Sequence, residues 1–191
     1  MKKLSLRCND KKSVTIIYKR RDKMEKNKVQ KITTNLWFDT QAEEAARVYV
    51  SVFDNAKIGR ITRYGKEKYE KHERAEGHVM TVELTLEGNE FVALNGGPQF
   101  KFTEAISFIV NCDSQEELDY YWEKLSEGGD EDAQVCGWLK DKFGVSWQII
   151  PADLTRMISD PDPEKSERVM KAMLQMKKKL DIKILKQAFE G

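Results

Sequence analysis

The 191-residue chain is poorest in histidine, with only His72 and His78. So small a supply leaves little material for an imidazole-based metal centre or general base. Cysteine is scarce too: Cys8, Cys112 and Cys136 make an odd number, which excludes a fully paired disulfide framework. No apolar run approaches the length of a membrane-spanning helix. The N-terminus has no apolar core followed by a small-residue cleavage site, so no secretory signal is expected. Together these absences predict a protein of the reducing cytoplasm with no membrane partner.

Hydrophobic residues make up 40% of the chain, with four Trp and eight Phe, enough for a sizeable core. The net charge of +1 conceals a division. Residues 1–31 carry 12 Lys/Arg against 3 Asp/Glu, and the remainder carries 21 against 29. A basic arm of this kind can bind nucleic acid or an anionic surface. Its low hydrophobicity makes a solvated, disordered segment the expectation, with no nucleic-acid partner. Arg20-Arg21 ahead of Met24 also fits translation starting at Met24, from an upstream purine-rich stretch. An intact mass of the native protein that included residues 1–23 would refute that start.

One pattern occurs twice. Phe38-Asp39-Thr40-Gln41-Ala42-Glu43 and Cys112-Asp113-Ser114-Gln115-Glu116-Glu117 each end an apolar run and open a helix, 74 residues apart. Thr40 with Glu43, and Ser114 with Glu117, have the spacing of a capping box. The repeat predicts an internally duplicated domain. Around it, residues 31–38 read as a strand and 40–53 as a helix. Alternation from Lys57 to Tyr64, Val79 to Leu86 and Glu90 to Leu94 then reads as three strands. Residues 65–77 read as a charged loop. Asn95-Gly96-Gly97-Pro98 breaks the pattern. Beyond it come a strand over 105–111, a helix over 114–126, and strands at 135–139 and 145–150. A further strand near 133–136 is a possibility. Asp162-Pro163 caps a helix running to Lys179, and a last helix covers 181–189. Val169, Met170, Met173, Leu174 and Met176 form a stripe whose expected role is packing.

These residues carry a resemblance. Leu36-Trp37-Phe38-Asp39 leading into Ala42-Glu43-Glu44-Ala45, then Ala93 to Pro98, Cys136 to Asp141, and Ser146-Trp147-Gln148-Ile149 resemble the PhnB-like branch of the vicinal oxygen chelate superfamily. That is the glyoxalase, bleomycin-resistance and dioxygenase fold. This branch is often labelled 3-demethylubiquinone-9 3-methyltransferase. The resemblance implies an α+β fold of paired βαβββ modules, a small organic ligand held in sheet cups, and a homodimer. On it the chain divides into an N-terminal extension (1–30), a first module (31–97), a second module (98–151) and a C-terminal helical extension (152–191).

Metal-dependent relatives draw His and Glu ligands from the first and last strands of each module. Residues 31–38, 91–97, 105–111 and 145–150 contain no His, Asp or Glu, and Gln148 stands where a Glu is expected. The expectation is therefore no metal and no cofactor. An apolar cup with a few neutral polar groups suits a largely uncharged organic ligand. The candidates are Thr33, Asn35, Trp37, Asn95, Ser107, Trp138 and Gln148. Cys136 has no neighbouring base in sequence and reads as structural. Glu43-Glu44 and Glu116-Glu117 read as helix starts, and Asp130 to Asp132 as a solvated loop. No catalytic constellation is visible. A methyltransferase would place a Gly-rich turn between a strand and a helix, and neither Gly96-Gly97 nor Gly128-Gly129 is so placed. The rival readings are a metal-dependent isomerase, lyase or dioxygenase, and the methyltransferase of the label.

Overall fold

The computed structural model describes residues 30–66 and 76–191. The basic arm, His72 and most of the charged loop lie outside these residues. Residues 34–191 form one compact unit.

The first module runs β1 (Thr34–Phe38), α1 (Ala42–Val52), β2 (Ala56–Arg63), β3 (Val79–Leu86) and β4 (Asn89–Asn95). Its sheet has the order β1-β4-β3-β2, with β1 parallel to β4 and the other pairs antiparallel. The second module repeats the plan: β5 (Ser107–Cys112), α2 (Gln115–Ser126), β6 (Asp130–Val135), β7 (Trp138–Lys140) and β8 (Ser146–Pro151). Its order is β5-β8-β7-β6. The paired βαβββ architecture is thus present in full. The strand after α2 is Asp130–Val135, so the acidic run expected in a loop is on a sheet edge.

One face of each sheet is covered by its own helix. Leu36, Phe38, Val82, Leu84, Leu86 and Ala93 are buried beneath Ala42, Ala45, Ala46, Tyr49 and Val52 of α1. Alternation sends Asn35 and Trp37 to the other face. In the second module Cys112, Leu139, Trp147 and Ile149 lie beneath Leu118, Tyr121, Trp122 and Leu125 of α2.

The two helix starts differ. Ser114 Oγ accepts from Glu117 N–H at 3.2 Å, and Glu117 Oε2 accepts from Asp113 N–H at 2.7 Å. That is the expected box, its return bond made one residue earlier than in the standard form. At α1 no box forms: the cap position is Gln41 and makes no side-chain cap bond. Glu43 pairs with Arg47 instead. The N–H of Ala42 donates to Asn95 Oδ1 at 2.8 Å, so a residue 53 positions away does the capping.

The modules join through their helix-covered sides. Tyr49 Oη donates to Asp141 Oδ2 at 2.7 Å, and Tyr120 Oη donates to the Val52 carbonyl at 3.0 Å. Phe53 stacks on Tyr121, and Phe38 meets Phe143 edge to face. Phe91 meets Phe108 in the same way. The open sheet faces take no part in these contacts.

The C-terminal extension holds α3 (Leu154–Ile158), α4 (Pro163–Leu174) and α5 (Ile182–Glu190). Asp162 caps α4 with proline in the first turn, and Asp181 caps α5. The long helix stops at Leu174, short of the expected Lys179. The chain then folds back on the second module. Gln115 donates to the Leu180 carbonyl at 3.2 Å and accepts from Ile182 N–H at 2.8 Å. Gly137 N–H donates to the Lys178 carbonyl, and a Cβ on Gly137 would press on Leu180 at 3.1 Å. The methionine-bearing stripe divides: Val169 is buried and Met173 half-buried, while Met170 and Leu174 are exposed.

Candidate functional site

Register fixes what the open faces carry. In the first sheet Asn35 lies beside Val92 and Trp37 beside Leu94. Thr81 and Glu83 follow on β3. Trp37 is held from two sides. Its Nε1–H donates to the Gly97 carbonyl at 2.9 Å, and its ring lies where any side chain on Gly96 would stand. Phe100 meets it edge-on at 5.0 Å. A small cavity of about 180 Å³ opens beside this pair, bounded also by Asp39, Pro98 and Phe102.

In the second sheet Ser107 pairs with Ser146, and Ile109 with Gln148. Gln148 pairs with Trp138 on its other side, and Ser146 with Lys140. Gln148 Nε2 donates to Ser107 Oγ at 2.8 Å. Lys140 is paired with Glu104. The open face of this sheet is therefore a neutral polar cluster of Ser107, Ser146 and Gln148, flanked by Trp138 and Ile109.

Of the seven residues singled out in the sequence, Ser107, Trp138 and Gln148 come together on the second sheet. Asn35 and Trp37 come together on the first. Asn95 faces the helix side: its Oδ1 caps α1 and its Nδ2 donates to the Val79 carbonyl at 3.0 Å. Its polarity on an apolar strand is explained by the bare helix start it serves. Thr33 is exposed and precedes β1, taking no sheet position. Ser146 is a member of the cluster that the strand pattern did not single out. Its signal was a hydroxyl two residues before Gln148, on the same side of β8.

A second buried polar centre lies at the module junction. Asp141 Oδ2 accepts from Tyr49 Oη and from Trp147 Nε1–H, and Oδ1 accepts from the backbone N–H groups of Phe143 and Val145. Burial pushes the Asp141 carboxyl up, against the pull of these four donors. Burial likewise raises the Tyr49 phenol well above its ordinary value, with the Asp141 charge adding to the shift. All of Asp141's lone-pair capacity is engaged, so it reads as a structural tie. A cavity of about 610 Å³ opens above it between α1 and α2, with Val48, Leu125, Lys124 and Lys142 on its walls.

Neither of the two cysteines among the described residues has a nucleophile's setting. Cys112 is buried, and burial, with Glu117 and Asp113 adding, pushes its thiol up to about 12. Cys136 sits at φ +48° in the β6–β7 turn, and its Sγ donates to the Met176 carbonyl at 3.2 Å. No group of three or more His, Cys, Asp or Glu able to hold a metal occurs among the described residues. The first and last strands of each module place Asn35, Trp37, Val92, Leu94, Ser107, Ile109, Ser146 and Gln148 on the open faces. Strand β4 also carries one carboxylate, Glu90, which stands just ahead of residues 91–97 and on the same face as Val92. One carboxylate does not make the three or four hard or nitrogen ligands that a divalent metal site of this class needs. The residues present do not fit the superfamily's metal.

Two βαβββ modules with parallel first and last strands define the vicinal oxygen chelate architecture. Residues 30–150 match the family model described as 3-demethylubiquinone-9 3-methyltransferase. A PhnB protein from Bacillus cereus is 39% identical with a TM-score of 0.54, over 64% of this chain and 98% of its own. A Pseudomonas aeruginosa protein shares the fold at 21% identity and a TM-score of 0.51, over 64% of this chain and 98% of its own. No curated protein matches the chain. The chain belongs to the PhnB-like branch of the vicinal oxygen chelate superfamily. The extension from α3 onward lies beyond the family match, which ends at residue 150. No helix among the described residues is long and apolar enough to cross a membrane.

Proposed function

We propose that this protein binds a small, largely uncharged organic molecule on the open sheet faces, without a metal, as a homodimer in the cytoplasm. The observation that carries the reading is the chemistry of the metal-ligand strands. Apart from the single carboxylate Glu90, their open faces offer amide, hydroxyl, indole and aliphatic groups where metal-dependent relatives need several His and Glu ligands. Such a surface has the composition of an organic-ligand site: mostly apolar, with a few polar groups that fix orientation. Sequestration of the ligand, or a reaction needing no metal, is the role it would serve.

The dimer reading is supported by where the modules touch. They use their helix-covered sides, which leaves part of the open faces exposed within one chain, although Ser146 on the second is buried. Ile109 is 54% exposed and Val135 51% exposed. A second copy that laid its first sheet over this face would enclose a cup and cover that apolar surface. Sedimentation should report a dimer.

The family's name would assign methyl transfer. That reading needs an S-adenosylmethionine site, and Gly96-Gly97 leads from β4 into the linker while Gly128-Gly129 follows α2. Calorimetry decides it: saturable S-adenosylmethionine binding would replace the present proposal. A crystal structure of protein purified without added ligand, together with metal analysis, tests the proposal itself. Organic density on the open faces and substoichiometric metal are expected. Stoichiometric metal that disappeared in His78→Ala would overturn it.

A further inference from the structure

The Ser146 hydroxyl is an anomaly. The residue is 2% exposed, yet Oγ is the one buried side-chain nitrogen or oxygen among the described residues with no hydrogen-bond partner. A hydroxyl buried without a partner carries a desolvation penalty, and such cases call for an explanation. The strand already holds Trp147 and Ile149 in the core, so a small apolar residue at 146 would avoid the penalty. Keeping a serine there makes sense if something outside the free chain pairs with it.

Its surroundings say what that partner would be. Ser146 stands beside Ser107 in the β5–β8 register and on the same face as Gln148. Ser107 Oγ accepts from Gln148 Nε2, so the Ser107 proton points elsewhere and can be donated. Ser146 offers a second O–H. Gln148 offers its Oε1 as an acceptor. Two hydroxyl donors beside an amide acceptor complement a group that is both acceptor and donor. A carboxamide or lactam has that pattern: the carbonyl takes the two hydroxyls and the N–H meets Gln148. A carboxylate lacks the donor and would face Gln148 Oε1 with its charge. The nearest cation on this face, Lys140, is already committed to Glu104. Trp138 and Ile109 on either side provide flat apolar surface for the body of the ligand.

We infer that Ser107, Ser146 and Gln148 form a subsite for an uncharged amide-type group on an apolar ligand, with Ser146 the specificity-determining hydroxyl. This rests on the proposed binding at the open faces and names the ligand class for the second of them.

Benzamide is the probe, with benzoate as its isosteric anion, titrated into the full chain and followed by amide-resolved NMR. Benzamide should shift the Gln148 side-chain amide and the backbone signals of residues 107, 146 and 148. It should bind at least about tenfold more tightly than benzoate, the scale set by leaving buried polar groups unpaired. Ser146→Ala should weaken benzamide by about fivefold while leaving benzoate unchanged. The same variant should melt no lower than the parent, because it removes an unpaired hydroxyl. Equal binding of benzoate, or benzamide binding that ignores Ser146→Ala, would overturn the amide subsite while leaving open-face binding standing. Absence of any benzamide binding would overturn the subsite as well. Shifts confined to the α1–α2 cavity would overturn both the subsite and the open-face reading.

Discussion

Replacing Asp141 by alanine should be among the most damaging single changes in this chain. The carboxylate accepts from Tyr49 Oη at 2.7 Å, Trp147 Nε1 at 2.9 Å, Phe143 N at 2.9 Å and Val145 N at 3.0 Å. Alanine would strand all four donors. The loop N–H groups can turn toward water, but Tyr49 and Trp147 are buried and cannot. Each stranded buried donor costs about 1–3 kcal/mol. Relief of burying the carboxylate offsets part of the sum, and loss of the loop anchor restores it. The net expectation is about 3–5 kcal/mol, the range for breaking a buried charged cluster from one side. For a chain of this size that is a fall in Tm of about 6–20 °C. Urea unfolding of the full chain measures it directly. Tyr49→Phe removes one donor and leaves the other three bonds, so it should cost only about 1–2 kcal/mol. In the double variant the Tyr49 change should add almost nothing, because its partner is already gone. An Asp141→Ala protein within 1 kcal/mol of the parent would refute the reasoning, and with it the claim that this residue ties module to module.

Asn95→Ala should cost about 1–2 kcal/mol by uncapping α1, whereas Asn95→Asp, which keeps the acceptor, should lose less; thermal melts distinguish the two. Gly96→Ala would drive a Cβ into the Trp37 ring. The indole must move, breaking its bond to Gly97, and the Trp37 side-chain N–H resonance should shift with a loss of about 1–3 kcal/mol. Leu185, fully buried in the C-terminal extension, should cost about 2–5 kcal/mol as alanine, read by denaturant unfolding. Cys112 gives a pH signature. Its folded pKa of about 12 exceeds the unfolded thiol value, so its stabilising contribution is complete below about pH 8.5 and is lost as the pH rises toward 12. Cys112→Val should flatten the alkaline fall in stability, compared by urea unfolding at neutral pH and near pH 11.

How legible was this in the chain? The second capping box was, because Ser114, Glu117 and Asp113 are neighbours and their bonding is local. The first was not. Thr40 and Glu43 have the same spacing, yet the cap is Asn95, and no local rule reports a partner 53 positions away. The same distance effect moved Asn95 from candidate ligand group to helix cap. Ser107 and Gln148 could be picked as polar intrusions on apolar strands. That they bond to each other, with Ser146 beside them, required the parallel register of β5 and β8.

The sequence by itself determined the duplicated module plan and the helix-facing pair Leu36 and Phe38. Both depend on residue type, alternation and short-range bonding, which the chain order contains. The tertiary structure alone decided that Asp130–Val135 completes the second sheet and that Asp141 ties the modules. It alone placed the open faces outside the module junction and left one buried hydroxyl, among the described residues, without a partner. Those outcomes depend on which distant surfaces meet, and that is set by burying the aromatic cluster between α1, α2 and β8. No window of local sequence carries that information.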